Sequence, residues 1–396
     1  MHFEKDFFSL DAEDIQRLIT YNVSEDRHIE FKQQLPNSSD DEVKEFLADI
    51  SAFANASGGM IIYGILEKDG IPHSIEGIGS DDFDREILRL ENIVRSGVNP
   101  RINQLLFRCI DIREKKVILV LIPDSWSKPH VVNYKKRWRF YIRTSAGKHP
   151  MDIEEVRASM LQSSSLPERM RNFRDQRFDV VWGGVSPVPL AFDSPVVLHL
   201  IPFSSVYDSD LSQINFNVVT DNFHSIRPLK ASVSHARYNL EGYLNYGNFD
   251  NEGKCSGYVQ VFRNGIIESV DTSMLNPNRN LGKYVPSGLF GEELAEKIAI
   301  YLNFQKKIGV IPPIAVFLSL LNIQGFYLAV SQKLDPFEDH KYLLQRKSLL
   351  LPELIFEDYP TDVRVSLKPL FDTLWNAFGW DRSYYYSDEG AWTLSN

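Results

Sequence analysis

Acidic and basic side chains that could act on a phosphodiester lie close together near the start of the chain. Glu30 and Lys32 alternate with apolar residues and therefore point to the same face of a predicted strand. Carboxylates bind Mg²⁺ or Mn²⁺, and a neighbouring ammonium can stabilise the charge that develops on phosphorus. Glu25 precedes the strand and can turn toward the same face. Because an E-x-K pair is short and common, an exposed strand carrying a cross-strand salt bridge is the alternative interpretation.

The elements that follow this strand would position another acidic group. Ser39 and Glu42 have capping-box spacing, and apolar residues then recur with helical periodicity. Residues 60–65 form an apolar run that is typical of a central strand, and Asp69-Gly70 predicts a tight turn. Glu67 therefore falls at the end of a buried strand, either as a functional carboxylate or as a solvated turn residue.

Residues 134–148 form the most basic window in the chain. Aromatic residues alternate with its charged residues, as expected of a surface that neutralises phosphates and stacks on unpaired bases. The basic residues are Lys135, Lys136, Arg137, Arg139, Arg143 and Lys148. We expect them to contact RNA or DNA. In the alternative interpretation Trp138 and Phe140 belong to the core and the arginines are simply solvated.

Composition limits the classes of protein to which the chain can belong. Its 396 residues suggest two domains, and a net charge of −10 excludes a general nucleic-acid coat, so any such contact needs a local basic patch. The two cysteines form no C-x2-C pair, which argues against a cysteine zinc site and suits a reducing cytoplasm. We expect a cytoplasmic protein without a signal peptide or a membrane span.

The order of predicted elements lacks strict strand–helix alternation and indicates an α+β fold. We expect an N-terminal domain over residues 1–162, a charged helical linker over 163–177 and a second α+β domain over 178–396. In the second domain, residues 196–206 and 349–356 are predicted to be strands. His199 lies between leucines and is expected to be a core histidine with a hydrogen-bond partner.

Several motifs together resemble the Schlafen-type AlbA domain. They are E-x4-E-F-K, I-S-A-F-A-N-x-x-G-G-x-I-I-Y-G-I with a following D-G turn, and F-Y-I-R-T-S-A-G at 140–147. The similarity extends over about residues 12–162 and implies a mixed-sheet AlbA-like fold. We identify no family resemblance in the second half of the chain, about residues 178–396.

The resemblance also implies a catalytic site. In nuclease members of the family, the two glutamates of E-x4-E and an acidic residue after the G-V strand bind the metal ion. These correspond here to Glu25 and Glu30, with Lys32 beside them. Gly64-Ile65-Leu66 replaces the family's G-V-D, so that the third acid is displaced by one residue to Glu67. Either a bulge and the extra methylene of glutamate compensate for this shift, or the metal site is weakened.

The expected function is therefore that of a metal-dependent endoribonuclease using Mg²⁺ or Mn²⁺. Glu25, Glu30 and Glu67 would be the metal ligands, and Lys32 would complete the catalytic set. The resemblance implies structured RNA such as tRNA as the substrate, RNA more than DNA, in stress or antiviral defence. A homodimer would rebuild the two-lobed cleft of eukaryotic members. The alternative is a non-catalytic regulator that binds a nucleic acid or a nucleotide.

Overall fold

A computed structural model describes residues 7–79, 82–103, 105–207, 214, 216–275, 282–331 and 342–393. The chain divides into two compact units, Met1–Ser165 and Leu166–Asn396. Both units combine helices with sheets, which confirms the predicted α+β class. Within the described residues, none of the helices is long and apolar enough to cross a membrane.

The first unit contains four α-helices and ten strands among its described residues. The helices are α1 Ala12–Thr20, α2 Asp40–Asn55, α3 Phe83–Gly97 and α4 Ile153–Ser164. The strands are β1 Ile29–Lys32, β2 Gly59–Tyr63, β3 Ile65–Lys68, β4 Ile71–Ile75, β5 Val98–Asn99, β6 Leu106–Ile112, β7 Lys115–Ile122, β8 Val131–Tyr134, β9 Arg137–Thr144 and β10 Gly147–Pro150.

Two four-stranded sheets build this unit. One has the order β1-β2-β7-β6, with β1 parallel to β2, and the other has the order β10-β9-β8-β5. Apolar residues alternate along β1 and β2, so that Ile29, Phe31 and Ile62 join one core with α1. Ile61 and Tyr63 point the other way and join a second core with α2. Glu30 and Lys32 share that second face and therefore lie on the side of α2.

Local details of the predicted elements differ from expectation. The capping box is wrong, because the Ser39 side chain makes no capping hydrogen bond and Glu42 instead accepts from the Asn37 backbone N–H at 2.6 Å. The predicted strand over residues 60–65 is split at Gly64, whose φ of +98° favours glycine. The predicted Asp69-Gly70 turn is confirmed, and both residues have positive φ, as a two-residue hairpin turn requires.

The second unit is built on one large antiparallel sheet. The strands of the unit are β11 Val196–Pro202, β12 His235–Tyr238, β13 Gly242–Tyr246, β14 Gly257–Phe262, β15 Ile267–Asp271, β16 Tyr284–Pro286, β17 Ile314–Leu320, β18 Tyr327–Ala329, β19 Leu349–Leu350 and β20 Leu354–Phe356, of which β16 and β18 form a separate parallel pair. Its helices are α5 Leu166–Trp182, α6 Phe203–Tyr207, α7 Phe216–Asp221, α8 Ser287–Lys307, α9 Val363–Ser366 and α10 Lys368–Ala377. The large sheet has the order β12-β13-β14-β15-β11-β17-β19, with β20 also pairing β17.

Helices cover this sheet on both faces. The larger core joins β11, β15 and β17 to α8 and α10, and a smaller core joins the opposite face to Phe178 and Val181 of α5. The segment expected to be a linker is therefore largely a helix packed on this sheet. The predicted strand over 196–206 ends at Pro202, and the one over 349–356 is two short strands.

A buried charged network fastens α5 to the sheet. Arg177 donates two hydrogen bonds to the Glu268 carboxylate, at 2.8 and 2.9 Å, and Tyr258 donates a third at 2.8 Å. His199 is fully buried and lies 3.0 Å from the same carboxylate, which confirms the expectation of a core histidine with a partner. Burial opposes ionisation of Glu268, but His199 and Arg177 outweigh it and lower its pKa to about 2.

Candidate functional site

The buried Glu30 and the half-buried Lys32 form an ion pair on the side of the sheet that α2 covers. The Lys32 Nζ lies 2.6 Å from Glu30 Oε1 and 3.4 Å from Asp49 Oδ2, so the ammonium sits between two carboxylates. Glu30 is 7% exposed and Asp49 is 3% exposed. Because both acids are buried, the lysine offsets part of the cost of keeping them ionised.

Arg143 and Lys148 complete this set of ion pairs from β9 and β10. Arg143 Nη1 lies 2.5 Å from Glu30 Oε2, and its guanidinium covers the Phe53 ring at 4.6 Å. Lys148 Nζ lies 2.6 Å from Glu45 and 2.5 Å from Asp49. The side chains of these two predicted nucleic-acid-binding residues thus pair with acidic residues of the protein. That they contact RNA stays a prediction.

Glu25 and Glu67 meet at the turn between β3 and β4. The Gly70 carbonyl accepts from the Glu25 backbone N–H at 2.7 Å, and the Gly70 N–H donates to Glu67 Oε2 at 2.6 Å. Glu25 Oε1 in turn accepts from the Phe31 backbone N–H at 2.7 Å. The pairing of β3 with β4 shifts register between Leu66 and Glu67, which confirms the expected irregularity beside the displaced acid.

Together these residues form a cluster that we call the acidic centre. It contains the carboxylates of Glu25, Glu30, Glu45, Asp49 and Glu67 and the cations of Lys32, Arg143 and Lys148. Three carboxylates pair with the three cations. Glu25 and Glu67 form no ion pair within the described residues, so the centre carries two formal negative charges in excess.

The charges of the centre perturb one another. Burial raises the pKa of Glu25, and the nearby charges of Glu30 and Glu67 raise it further. Burial opposes the charge on Lys32, but Asp49 and Glu30 together raise its pKa above the ordinary value. Lys32 is therefore held as a permanent cation at neutral pH. Burial, followed by the charge of Glu30, also raises the pKa of Asp49.

The donor atoms suit a hard divalent cation, although they are not gathered around one point. In the part of the chain that the structure describes, no group of three or more His, Cys, Asp or Glu side chains is arranged to hold a metal ion. Both oxygens of Glu30 face cations. Glu25 and Glu67 each use one oxygen for a backbone N–H, and within the same residues the second oxygen of each makes no hydrogen bond.

The β8–β9 hairpin carries the remaining predicted nucleic-acid contacts. Its two-residue turn is Lys135-Lys136, both with positive φ, a conformation that normally favours Asn-Gly. Lys135 pairs with Asp40 at the start of α2. Lys136, Arg137 and Arg139 are exposed and form no ion pair among the described residues. Trp138 is 61% exposed, so the interpretation that placed it in the core is wrong.

A buried hydrogen-bond network fixes the end of α2 against β9. Asn55 Nδ2 donates to the His130 and Tyr141 carbonyls at 2.8 Å each, and its Oδ1 accepts from the His130 N–H at 2.6 Å. The His130 ring lies 2.7 Å from the Pro100 carbonyl and 2.6 Å from Ser125 Oγ. Burial lowers the pKa of His130 to about 4, so its neutral ring donates from Nδ1 and accepts from Ser125.

The candidate residues from the sequence omit Asp49, Glu45 and Asn55. Asp49 lies in the apolar stripe of α2, and a charged residue at such a position is a signal that it has a buried partner. The position of Asp49 in the sequence does not, however, identify its partners, which the structure shows to be Lys32 and Lys148. Asn55 carries a weaker signal, since an amide at a helix end is usually a cap.

Comparison with known proteins identifies the first unit. Residues 25–152 match the family model described as Schlafen, AlbA_2. The N-terminal domain of a RecG-related protein from Nitrosomonas europaea is 20% identical over 32% of this chain and 82% of its own, with a TM-score of 0.26. The DIP2311 protein from Corynebacterium diphtheriae is 14% identical over 35% of this chain and 30% of its own, with a TM-score of 0.25. No curated protein matches the chain.

Proposed function

We propose that the Schlafen AlbA_2 domain at residues 25–152 binds structured RNA, such as tRNA, and cleaves it with Mg²⁺ or Mn²⁺. The family match indicates a function related to nucleic acids. Within that function, cleavage is supported by the acidic centre and RNA binding by the exposed cations of the β8–β9 hairpin. A role in stress or antiviral defence, and a homodimer that pairs two such domains, are parts of the same proposal.

The excess charge of the acidic centre is the observation that carries the proposal. Glu30, Glu45 and Asp49 are paired with the three cations, whereas Glu25 and Glu67 lie half-buried beside them and, within the described residues, form no ion pair. Two uncompensated carboxylates equal the charge of one divalent ion. Repulsion between them is unfavourable for the folded state, and a bound cation would remove it.

Glu25 and Glu67 would hold the ion, with Glu30 as the third ligand. A bound Mg²⁺ or Mn²⁺ would supply Lewis-acid polarisation of the scissile phosphate. The donors match such an ion in chemical type, because carboxylate oxygens are its preferred ligands, and gathering them around it requires Glu30 to turn away from Lys32 or Arg143.

Residues of the chain itself account for the remaining steps. Lys32 is held as a cation beside Glu30, where it can neutralise charge that develops on a phosphate. Lys136, Arg137 and Arg139 can neutralise phosphates along an RNA backbone, and Trp138 offers an exposed ring for stacking. Binding and cleavage thus depend on different side chains and can be separated by substitution.

The proposal is tested by incubating the purified protein with tRNA and Mn²⁺, with EDTA in a parallel reaction. We expect cleavage that requires the metal and that falls at least about 100-fold in Glu25→Gln, an order of magnitude typical of a lost metal ligand. Glu91→Gln is the matched control, since Glu91 is exposed on α3 away from the centre. Titration with Mn²⁺ followed by electron paramagnetic resonance should detect one ion per chain in the control and weaker binding in Glu25→Gln.

The clamping of Glu30 by Lys32 and Arg143 favours a second candidate, a non-catalytic regulator that binds RNA or a nucleotide. In that case both Glu30 oxygens stay with their cations and no metal enters. The regulator would be favoured over the nuclease by two results together. RNA would bind tightly but remain intact with Mg²⁺ or Mn²⁺ at all salt concentrations and pH values tested, and no Mn²⁺ binding would be detected.

A further inference from the structure

A cavity of about 300 Å³ lies between the start of α2 and the β8–β9 hairpin. This volume is at the lower end of the range of small-molecule sites. Its buried lining includes Val132, which is 3% exposed, and Tyr141, which is 9% exposed. The cavity is therefore closed on one side by apolar side chains of the sheet, and the opposite side opens to solvent among charged residues.

One wall of the cavity is an aromatic ring whose hydroxyl is held by a hydrogen bond. Tyr134 lines the cavity, and its hydroxyl donates to Asp40 Oδ1 at 2.9 Å. The other Asp40 oxygen pairs with Lys135, so this carboxylate is already neutralised. A ring that is held at its hydroxyl loses little further freedom when a flat ligand stacks on it, which favours binding of an aromatic group.

Charged groups of opposite sign flank the ring. Arg137 and Arg139 line the cavity on the hairpin side, where they can neutralise a phosphate. Asp41 and Lys44 line it on the helix side, and within the described residues Asp41 makes no ion pair or hydrogen bond. An ionised carboxylate only accepts hydrogen bonds, so Asp41 selects a ligand that presents N–H donors.

We propose that this cavity receives one unpaired base of the RNA and prefers guanine. The base would stack on Tyr134, present its N1–H and exocyclic amino group to Asp41, and leave its phosphate beside Arg137 and Arg139. Guanine offers two adjacent donors on its Watson–Crick edge, whereas uracil offers one donor between two carbonyl oxygens that a carboxylate would repel. This inference rests on the proposed function, because it assumes that RNA reaches the hairpin.

The test measures binding without cleavage. Fluorescein-labelled oligouridine RNAs of eight nucleotides, each with a single central guanine, inosine or uracil, are titrated in EDTA and followed by anisotropy. We expect the guanine oligomer to bind roughly tenfold more tightly than the uracil one, in line with the discrimination of a bidentate base contact. Inosine lacks the exocyclic amino group and should bind with intermediate affinity.

Two substitutions with matched controls locate the effect. Asp41→Asn should abolish the preference for guanine, whereas Glu42→Gln should keep it. Glu42 lies in the same first turn of α2 and is bound to Asn37, but it does not line the cavity. Tyr134→Leu should weaken binding of all three oligomers roughly tenfold. Tyr134→Phe keeps the ring but loses its hydrogen bond to Asp40, and should weaken binding much less. Thermal melting of each variant checks that it is folded.

The possible results have distinct meanings. Equal affinity for the three oligomers, or a guanine preference that persists in Asp41→Asn, overturns the base pocket but leaves the proposed nuclease intact. Displacement of the oligomer by an equal concentration of GMP overturns the assignment to an RNA chain in favour of a free nucleotide. A wild-type protein that binds none of the oligomers and no tRNA overturns the proposed function, and the pocket with it.

Discussion

Replacing Glu30 by glutamine should destabilise the first unit, and the size of the loss can be worked out from its contacts. Glu30 is 7% exposed and contacts both Lys32 and Arg143. Removing one member of a buried ion pair costs about 3–5 kcal/mol, because the remaining charge stays buried without a partner. Lys32 keeps Asp49 at 3.4 Å, and Arg143 keeps the Asp26 carbonyl at 3.0 Å. We therefore expect the low end of the range, about 3 kcal/mol.

Glu25→Gln is the matched comparison, because it removes the same charge from the same centre. Glu25 is half-buried and accepts one backbone hydrogen bond, which a glutamine oxygen can also accept. Its carboxylate is repelled by Glu30 and Glu67, so neutralising it relieves an unfavourable interaction. The free energy of unfolding should change by less than about 0.5 kcal/mol.

Thermal unfolding of the full chain measures both variants. For a unit of this size, the loss of about 3 kcal/mol expected of Glu30→Gln lowers Tm by about 6–12 °C. The Tm of Glu25→Gln should equal that of the wild type. The double variant Glu30→Gln, Lys32→Met also removes the ammonium that has lost its nearer partner. Its loss of stability should therefore be smaller than the sum of the losses in the two single variants. Equal melting temperatures for Glu30→Gln and Glu25→Gln would refute the buried, cation-paired position of Glu30.

Three further predictions concern other parts of the chain. Glu268→Gln should lower the free energy of unfolding of the second unit by about 3 kcal/mol. Because the pKa of Glu268 is lowered to about 2 from an ordinary value of about 4.5, denaturant titrations should show the full wild-type advantage above pH 4.5 and its loss as the pH falls toward 2. A variant as stable as the wild type at neutral pH would contradict the buried network. Exchanging Arg137 and Arg139 for glutamate should weaken RNA binding and reduce the salt slope by about 2, and a slope equal to that of the wild type would exclude the hairpin. Asn55→Ala should lower the free energy of unfolding by about 3 kcal/mol, because it leaves the buried backbone groups of His130 and Tyr141 without partners. Unaltered rates of amide hydrogen exchange in β9 would contradict this.

Short-range patterns in the sequence predict much of the fold and part of the site. Alternation in β1 correctly puts Glu30 and Lys32 on one face, and Asp69-Gly70 correctly predicts the turn that holds Glu67. The same alternation cannot say that this face is covered by α2, because Asp49 approaches Lys32 from a helix whose packing is decided by the whole core. Lys148 illustrates the limit, since its partners Glu45 and Asp49 lie about a hundred positions earlier in the chain. Pairings of this range depend on topology, which local periodicity does not encode.

The division of charge in the acidic centre separates residues that hold the fold from residues that are available for chemistry. Glu30, Glu45 and Asp49 connect β1, α2, β9 and β10 through Lys32, Arg143 and Lys148. Among the residues that the structure describes, Glu25 and Glu67 are fastened only through backbone N–H groups and Gly70, which fixes their positions without neutralising them. Stability should therefore respond to substitution in the first group, whereas Mn²⁺ binding should respond most to substitution in the second. A Glu67→Gln variant that melts like the wild type but binds Mn²⁺ normally would show that the excess charge has another purpose.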